Sequence, residues 1–454
     1  MEVQTRRILN DNLNSLFLRF SIPAMAGMFV ESLFNFADGI FAGQLISPAA
    51  VGAISLAYPI ILFNSALRLL IAQGAGSLLS RALGVGDDKT ANQILGSLIM
   101  WIGMISLIYS AAVWLFAPQI VGAIGGRGEI LRLGERYVRI VAAGFVVSSL
   151  GLGMNMLLRS EGRIQEAMLI LTAGSVANII LDPIFILVFS EGIDGLASAT
   201  VISQFLLFAL QLIYMFRGKT TVRLTKRTLR FNGGFMKSIL PVGLSSFSLY
   251  ATLILQQVLL YTQAERYGGN MQVAALGAGF RTFMLAFLPL YGIGQGLQPI
   301  LGINFGAGQL RRVREAFVRF SLYGSVISVG FWLMFMVFPD LILGWFLSDP
   351  KVAHAYAGYF RVASGVFMCY ALIITEIVFF QALGKGLQAV TVVLLRQLLL
   401  FVPAVMFLPV VLGNLGIWLS IPITDVIALG TGTVLCIVEY RHLFAPGFER
   451  KVAS

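Results

Sequence analysis

Apolar residues in this chain come in long runs separated by short polar interruptions. The runs predict helices near residues 15–42, 49–80, 93–117, 129–157, 165–189 and 193–216. Six more are predicted near 237–264, 272–303, 311–339, 352–383, 386–412 and 415–440. An α-helix rises about 1.5 Å per residue and needs about 20 apolar residues to cross a bilayer. These runs are that long or longer, whereas barrel strands would be about 10 residues of alternating polarity. Only helices and closed barrels satisfy all their backbone polar groups in lipid. The pattern therefore predicts an all-α membrane protein with twelve transmembrane helices.

The composition agrees: 454 residues, 58% hydrophobic and 12% charged, with a mean hydropathy of +0.86. A net charge of +11 would suit nucleic acid, but the basic residues lie between apolar runs rather than on one soluble domain. They read as topology signals, and no nucleic-acid partner is expected. The longest polar segment, RGKTTVRLTKRTLRFNGGFMK, carries Arg217, Lys219, Arg223, Lys226, Arg227, Arg230 and Lys237 and no acid. With that loop and both termini in the cytoplasm, 22 Lys and Arg fall at cytoplasmic ends, 7 at external ends and 3 within spans. Cytoplasmic loops carry the excess of Lys and Arg, so this orientation is the one expected. Cys369 and Cys436 lie inside apolar runs and read as buried apolar side chains rather than as a disulfide or metal site. The first residues, MEVQTRRILNDNLNSLFLRF, hold no short apolar stretch ending in a small-residue cleavage site, so no cleaved signal peptide is expected.

The two halves resemble each other. AVGAISLAYP at Ala50 is echoed by ALGAGFRTFM at Ala275, Gly84 and Gly86 by Gly306 and Gly308, and RSEGRIQEA at Arg159 by QALGKGLQA at Gln381, with separations of 222 to 225 residues. A duplicated six-helix unit explains the echo: residues 1–216 form one lobe, 217–236 a basic cytoplasmic linker, and 237–454 a second lobe. Six is even, so both lobes enter the membrane from the same side and their pseudo-twofold axis runs along the membrane normal. A central cavity is then expected between them.

Ionisable residues inside a membrane are costly and mark function by default. In the first span, ESLFNFADG sets Glu31, Asn35 and Asp38 on one helix face. In the fifth, VANIILDPIFILV sets Asn178 and Asp182 one turn apart, and Pro183 removes a backbone donor beside them. Thr200, in GLASATVISQ, offers a hydroxyl at comparable depth. Two carboxylates, an amide oxygen and a hydroxyl suit a proton or a hard monovalent cation such as Na⁺. An interhelical clamp of Asn178 and Asp182, worth roughly 0.6 kcal/mol, is the structural alternative. Pro23 reads as a kink or as a hinge for the first span. In the second half, Val402 and Leu398 align with Asp182 and Asn178, so this constellation is not duplicated. Arg281, Glu376, Arg396 and Asp425 read first as an ion-pair network and second as substrate contacts. The 16 Met and 35 Phe supply apolar side chains able to line an adaptable cavity.

The segments ESLFNFADGIFAG, RSEG after the fourth span and NIILDPIFI, in this order and with the six-plus-six repeat and basic central loop, resemble the multidrug and toxic compound extrusion (MATE) transporters. The resemblance spans nearly the whole chain and implies a prokaryotic plasma-membrane antiporter. Such a transporter exports amphipathic, often cationic compounds in exchange for H⁺ or Na⁺ and needs no other cofactor. By motif, the family's N-lobe ion site falls on Asp38, Asn178, Asp182 and Thr200. Members that use C-lobe acids have them near Glu265 and Glu376, but these two do not match that pattern. The rival reading is a lipid-linked oligosaccharide flippase, whose diphosphate substrate would be met by Arg68, Arg281 and Arg396. No enzyme is expected: His354 and His442 stand near span ends, and the chain has no HExxH, nucleophile or Walker motif. The oligomeric state is left open.

Overall fold

The computed structural model describes residues 3–41, 45–189, 192–217, 220–222, 228–347 and 349–443, without the side chains of 35–40 and 48. Every regular element among these residues is helical. The first half runs through α1 (Val3–Asn10), α2 (Leu13–Phe41), α3 (Pro48–Val85), α4 (Asp88–Leu115), α5 (Ala117–Ala123), α6 (Gly128–Ser160), α7 (Ile164–Pro183) and α8 (Gly192–Phe216). The second half runs through α9 (Gly233–Gly306), α10 (Leu310–Val337), α11 (Pro339–Gly344), α12 (Pro350–Ser364), α13 (Tyr370–Ala382), α14 (Gly386–Leu394), α15 (Phe401–Leu412) and α16 (Asn414–Leu443). Helix α9 begins at Gly233, so the last residues of the expected linker are helical.

Eleven helical stretches are long and apolar enough to cross a membrane, and one of them is crossed twice. Helix α9 has 74 residues and would span about 110 Å if straight. It turns instead at Gly269, whose φ of 63° and ψ of −163° favour a residue without a Cβ. Tyr261 and Gly277, each eight residues from that turn, face one another across the two arms. The runs 237–264 and 272–303 are thus the two arms of one folded helix, and the candidate crossings among the described residues number twelve. Large apolar side chains such as Leu107, Leu187, Phe407 and Val411 remain exposed on the outside, as lipid-facing residues must.

The halves meet along a seam of close backbone approach. A Cβ at Gly243 would strike the Leu70 carbonyl, one at Gly84 the Ile303 carbonyl, and one at Gly306 the Arg81 carbonyl. An offset of 222 residues converts the Gly84–Ile303 contact into the Gly306–Arg81 contact, as a twofold axis through the seam requires. One apolar cluster, containing Phe20, Leu79, Leu297 and Ile303, runs through both halves here. A second, with Ala53, Val121, Tyr137 and Leu196, belongs to the first half alone and lies toward the opposite end of α3. The lobes are therefore fused at the end that carries α1 and separate toward the other.

Helix α1 crosses the fused end. Gln4 Nε2 donates to the Gly162 carbonyl (2.8 Å) in the first half, and Arg312 of the second half donates from Nε and Nη2 to the Ile8 carbonyl (3.2 and 3.0 Å).

Gly243→Ala is expected to force α3 and α9 apart and to cost about 1–3 kcal/mol, as overpacking does. A lower melting temperature of the purified protein in detergent would register it. Gly330→Ala, at a helical glycine whose Cβ would meet nothing within 4 Å, is the control and should leave the melt unchanged.

Candidate functional site

Asn178 and Asp182 are both buried on α7, with relative exposures of 1% and 0%. Asn178 Nδ2 donates to Asp182 Oδ1 (3.2 Å). Pro183 cannot supply the next backbone donor, and the five residues that follow, Ile184–Val188, form a π turn closed by Phe189 N–H to the Ile184 carbonyl (3.3 Å). Helix α8 runs antiparallel to α7, with Gly174 packed on Leu207. Counting eight residues along α7 and seven back along α8 sets Asp182 level with Thr200, at about 1.5 Å per residue. Thr200 is buried, and its hydroxyl donates to the Leu196 carbonyl (3.0 Å), leaving its lone pairs to accept or coordinate.

Asn178 Oδ1 accepts no hydrogen bond from any described residue. That orphaned buried oxygen, with the Asp182 carboxylate and the Thr200 hydroxyl, forms an oxygen-only donor set that fits a proton or Na⁺. Helix α2 lies parallel to α7, with Gly27 on Met168, so backbone position 38 is level with position 179. The side chain of Asp38, which was expected to complete the set, lies outside the described residues, as does that of Asn35 on the same helix face. Pro23 sits within a continuous α2.

A second polar group lies between the halves. Glu31 of α2 is within Coulombic range of Arg68 on α3 and Arg159 on α6, and Tyr250 and Tyr291 from the two arms of α9 stand beside Arg68. Arg159 Nη1 donates to Gln295 Oε1 (3.3 Å), and Gln295 also bonds Tyr291. Nearer the open end, Tyr58 of the first half faces Tyr261 of the second, and Arg281 is exposed beside Tyr261. No hydrogen bond or ion pair among the described residues joins Arg281 to the Arg396–Asp425 pair with which it was grouped.

Below this group the seam is closed by glutamines. Gln73 Nε2 donates to Gln298 Oε1 (3.2 Å) and to Gln381 Oε1 (2.7 Å), and Ser77 Oγ donates to the Gln381 carbonyl (2.5 Å). Gln381 Nε2 reaches Ser245 Oγ (2.9 Å) and Ser246 Oγ (3.2 Å). Gln73 and Gln298 lie 225 residues apart, within one helical turn of the 222-residue offset that relates the contacts of Gly84 and Gly306, so their bond falls near the axis. A separation close to the repeat offset was the available signal for a contact the sequence reading missed.

The expected ion-pair network exists in the second half, in a smaller form. Arg396 Nε donates to Asp425 Oδ1 (2.6 Å), Tyr370 O–H donates to Asp425 Oδ2 (2.7 Å), and Arg396 Nη2 donates to the Tyr370 oxygen (3.1 Å). Arg396 also lies over the Tyr370 ring at 5.2 Å. Glu376 stands apart, accepting from Thr433 Oγ1 (2.7 Å) and packed on Gly432. Tyr370 and Thr433 carried no motif that marked them.

The MatE family model matches residues 23–184 and again 245–406, two blocks offset by the repeat distance. The multidrug export protein MepA of Staphylococcus aureus is 25% identical over 413 residues, covering 90% of each chain. Among solved structures, the MATE multidrug transporter DinF-BH in complex with R6G superposes with a TM-score of 0.89 at 29% identity over 98% of this chain and 99% of that one. An outward-facing multidrug resistance MATE family transporter of the MOP superfamily superposes with a TM-score of 0.90 at 24% identity over the same shares.

Removing one member of a buried ion pair strands the other and costs about 3–5 kcal/mol, whereas replacing both with apolar groups is often near neutral. Arg396→Met and Asp425→Leu should each lower the melting temperature sharply in detergent, while the double variant recovers most of the loss.

Proposed function

This chain belongs to the MatE family of membrane transporters, and we propose that it is a secondary antiporter exporting small amphipathic compounds in exchange for H⁺ or Na⁺. The single observation that carries this reading is the buried pair Asn178–Asp182, with an orphaned amide oxygen beside a carboxylate deep in the first half. Asp182, Asn178 and Thr200 would hold the ion, with Asp38 as the fourth member by motif. The ion supplies the charge that lets the buried carboxylate remain in a low-dielectric site.

The rest of the chain turns that local change into transport. A ligand shifts a two-state equilibrium only by binding the two states differently, so ion and substrate must each prefer one arrangement of the halves. The glutamine seam and α1 hold one end shut while the space around Tyr58 and Tyr261 opens at the other. If the basic loop and both termini are cytoplasmic, as the distribution of Lys and Arg favours, this is the outward-facing arrangement. The π turn after Pro183 gives α7 a segment whose hydrogen bonds can re-register as the carboxylate changes charge. In the second half the aligned positions are Leu398, which is 38% exposed, and Val402. Neither can bind a proton or a cation, so ion sensing is assigned to the first half.

Arg68 favours a second reading, movement of a lipid-linked oligosaccharide. Proteoliposomes with independently imposed proton and sodium gradients separate the two. Gradient-driven dye efflux supports antiport, and lipid translocation indifferent to both gradients supports the flippase.

Asp182→Asn should abolish gradient-driven efflux while the protein still elutes as a folded species, because an amide matches the acid in size but cannot exchange a proton. Asn178→Leu with Asp182→Val should do the same, whereas Leu398→Ile and Val402→Ile should change efflux less than twofold. Equal losses from the two sets would refute the assignment to one half. For orientation, a cysteine at Thr225 should react with an impermeant maleimide only after cells are permeabilised, and labelling of intact cells would invert the topology.

A further inference from the structure

Resting on the transport reading, we propose that the space between the halves takes substrates bearing an oxyanion, a carboxylate or phosphate on an apolar body, and that Arg68 receives it. Arg68 lies about halfway along α3, between Phe63, whose ring is 6.0 Å from that of Phe247, and Leu70, which packs on Gly243. It therefore stands between the Gln73 seam and the Phe63–Phe247 contact, on the interface of the two halves. It makes no hydrogen bond or ion pair with any described residue, and its neighbours Tyr250, Glu31 and Tyr291 act on it through space. A guanidinium near the membrane midplane is costly unless something meets its charge, and a purely structural position would hold Leu or Met.

The charge balance points the same way. Among described residues, Arg68, Arg159 and the more distant Arg281 face one acid, Glu31, which lies in range of both Arg68 and Arg159. Arg159 is already engaged by Gln295. Two guanidiniums and one carboxylate leave one net positive charge at the floor, and Arg68, whose planar fork of donors is bonded to no described residue, is the one able to offer it to a carboxylate or phosphate. Tyr58, Tyr250, Tyr261 and Tyr291 add rings for an apolar body and hydroxyls for its polar edge. A guest that is only cationic would bring like charge beside Arg68. The expectation of lipophilic cations had Arg281 and Arg396 against it; Arg396 is paired with Asp425 and Arg281 lies nearer the open end, and it is Arg68 and Arg159, sharing one acid, that favour anionic and zwitterionic amphiphiles.

The test uses the purified full chain and two dyes that share one ring system: rhodamine 6G, an ethyl ester with a net positive charge, and its free acid, a zwitterion. Fluorescence anisotropy should show the free acid binding about tenfold more tightly than the ester, the scale of one charge-assisted hydrogen bond. Arg68→Gln should erase that preference and Arg68→Lys should keep part of it. Phosphatidylglycerol that displaces the free acid from wild type, but not from Arg68→Gln, would identify a lipid phosphate as the oxyanion source. Failure of both phosphatidylglycerol and phosphatidylcholine to displace it would identify solute carboxylates. Ester binding equal to or tighter than the free acid in wild type overturns the proposal, as does an unchanged ratio in folded Arg68→Gln. Should that variant not fold, the wild-type ratio and Arg68→Lys decide. Loss of all gradient-driven dye movement, with the acid preference intact, would refute antiport and leave the oxyanion site standing.

Discussion

The fold depends on how closely two backbones approach at the pseudo-twofold axis. In lipid there is no hydrophobic drive between helices, so association rests on van der Waals packing and on polar groups that satisfy each other. Here glycines on α3 and α9 let main chains touch, and Gln73, Gln298 and Gln381 join their side-chain amides where the two repeats meet. Everything above that contact can be polar and open because everything below it is sealed. The polar space between the halves and the pocket of α7 and α8 are both organised with respect to this one closure.

Duplication gave the halves one architecture but different electrostatics. The first half keeps an acid and an amide buried side by side on α7. On the corresponding helix of the second half, Arg396 lies in a π segment, Leu395–Leu400, and is held by Asp425 and Tyr370. A guanidinium satisfied from three directions is a fixed strut, whereas a buried carboxylate beside an amide whose own oxygen accepts no hydrogen bond from a described residue is a group whose charge has consequences. The same helix thus carries a fixed ion pair in one lobe and, under the proposed antiport, the ion-binding acid in the other.

Crossing number, helix class and the repeat were legible in the sequence because each is written redundantly, over tens of apolar residues or at a constant offset. Asn178 and Asp182 were legible because a polar pair one turn apart stands out against an apolar run. Contacts between remote elements were not. Gln73, Gln298 and Gln381 look like ordinary helix residues, and Arg159 was marked only as part of the RSEG segment, not as a partner of Gln295. Nor does any local pattern state that Tyr370 should meet Asp425, 55 positions away. The joining of two predicted spans through Gly269 was hidden for another reason, since a glycine between polar residues reads as a loop whether or not the helical register continues on both sides.

Helix α1 belongs to neither membrane-spanning bundle, yet it holds both. The Ile8 carbonyl takes donors from Arg312, while Gln4 reaches the turn after α6, so one short amphipathic segment is stitched across the gap that must widen whenever the sealed end opens. In the proposed alternating-access cycle its strength would set an offset between the two access states without touching substrate or ion. Strengthening those stitches would lengthen the dwell in one state, and cutting them would shorten it. Under the proposed transport cycle, the balance between its two halves would in this way be tuned from the first few residues of the chain, away from the proposed substrate and ion sites.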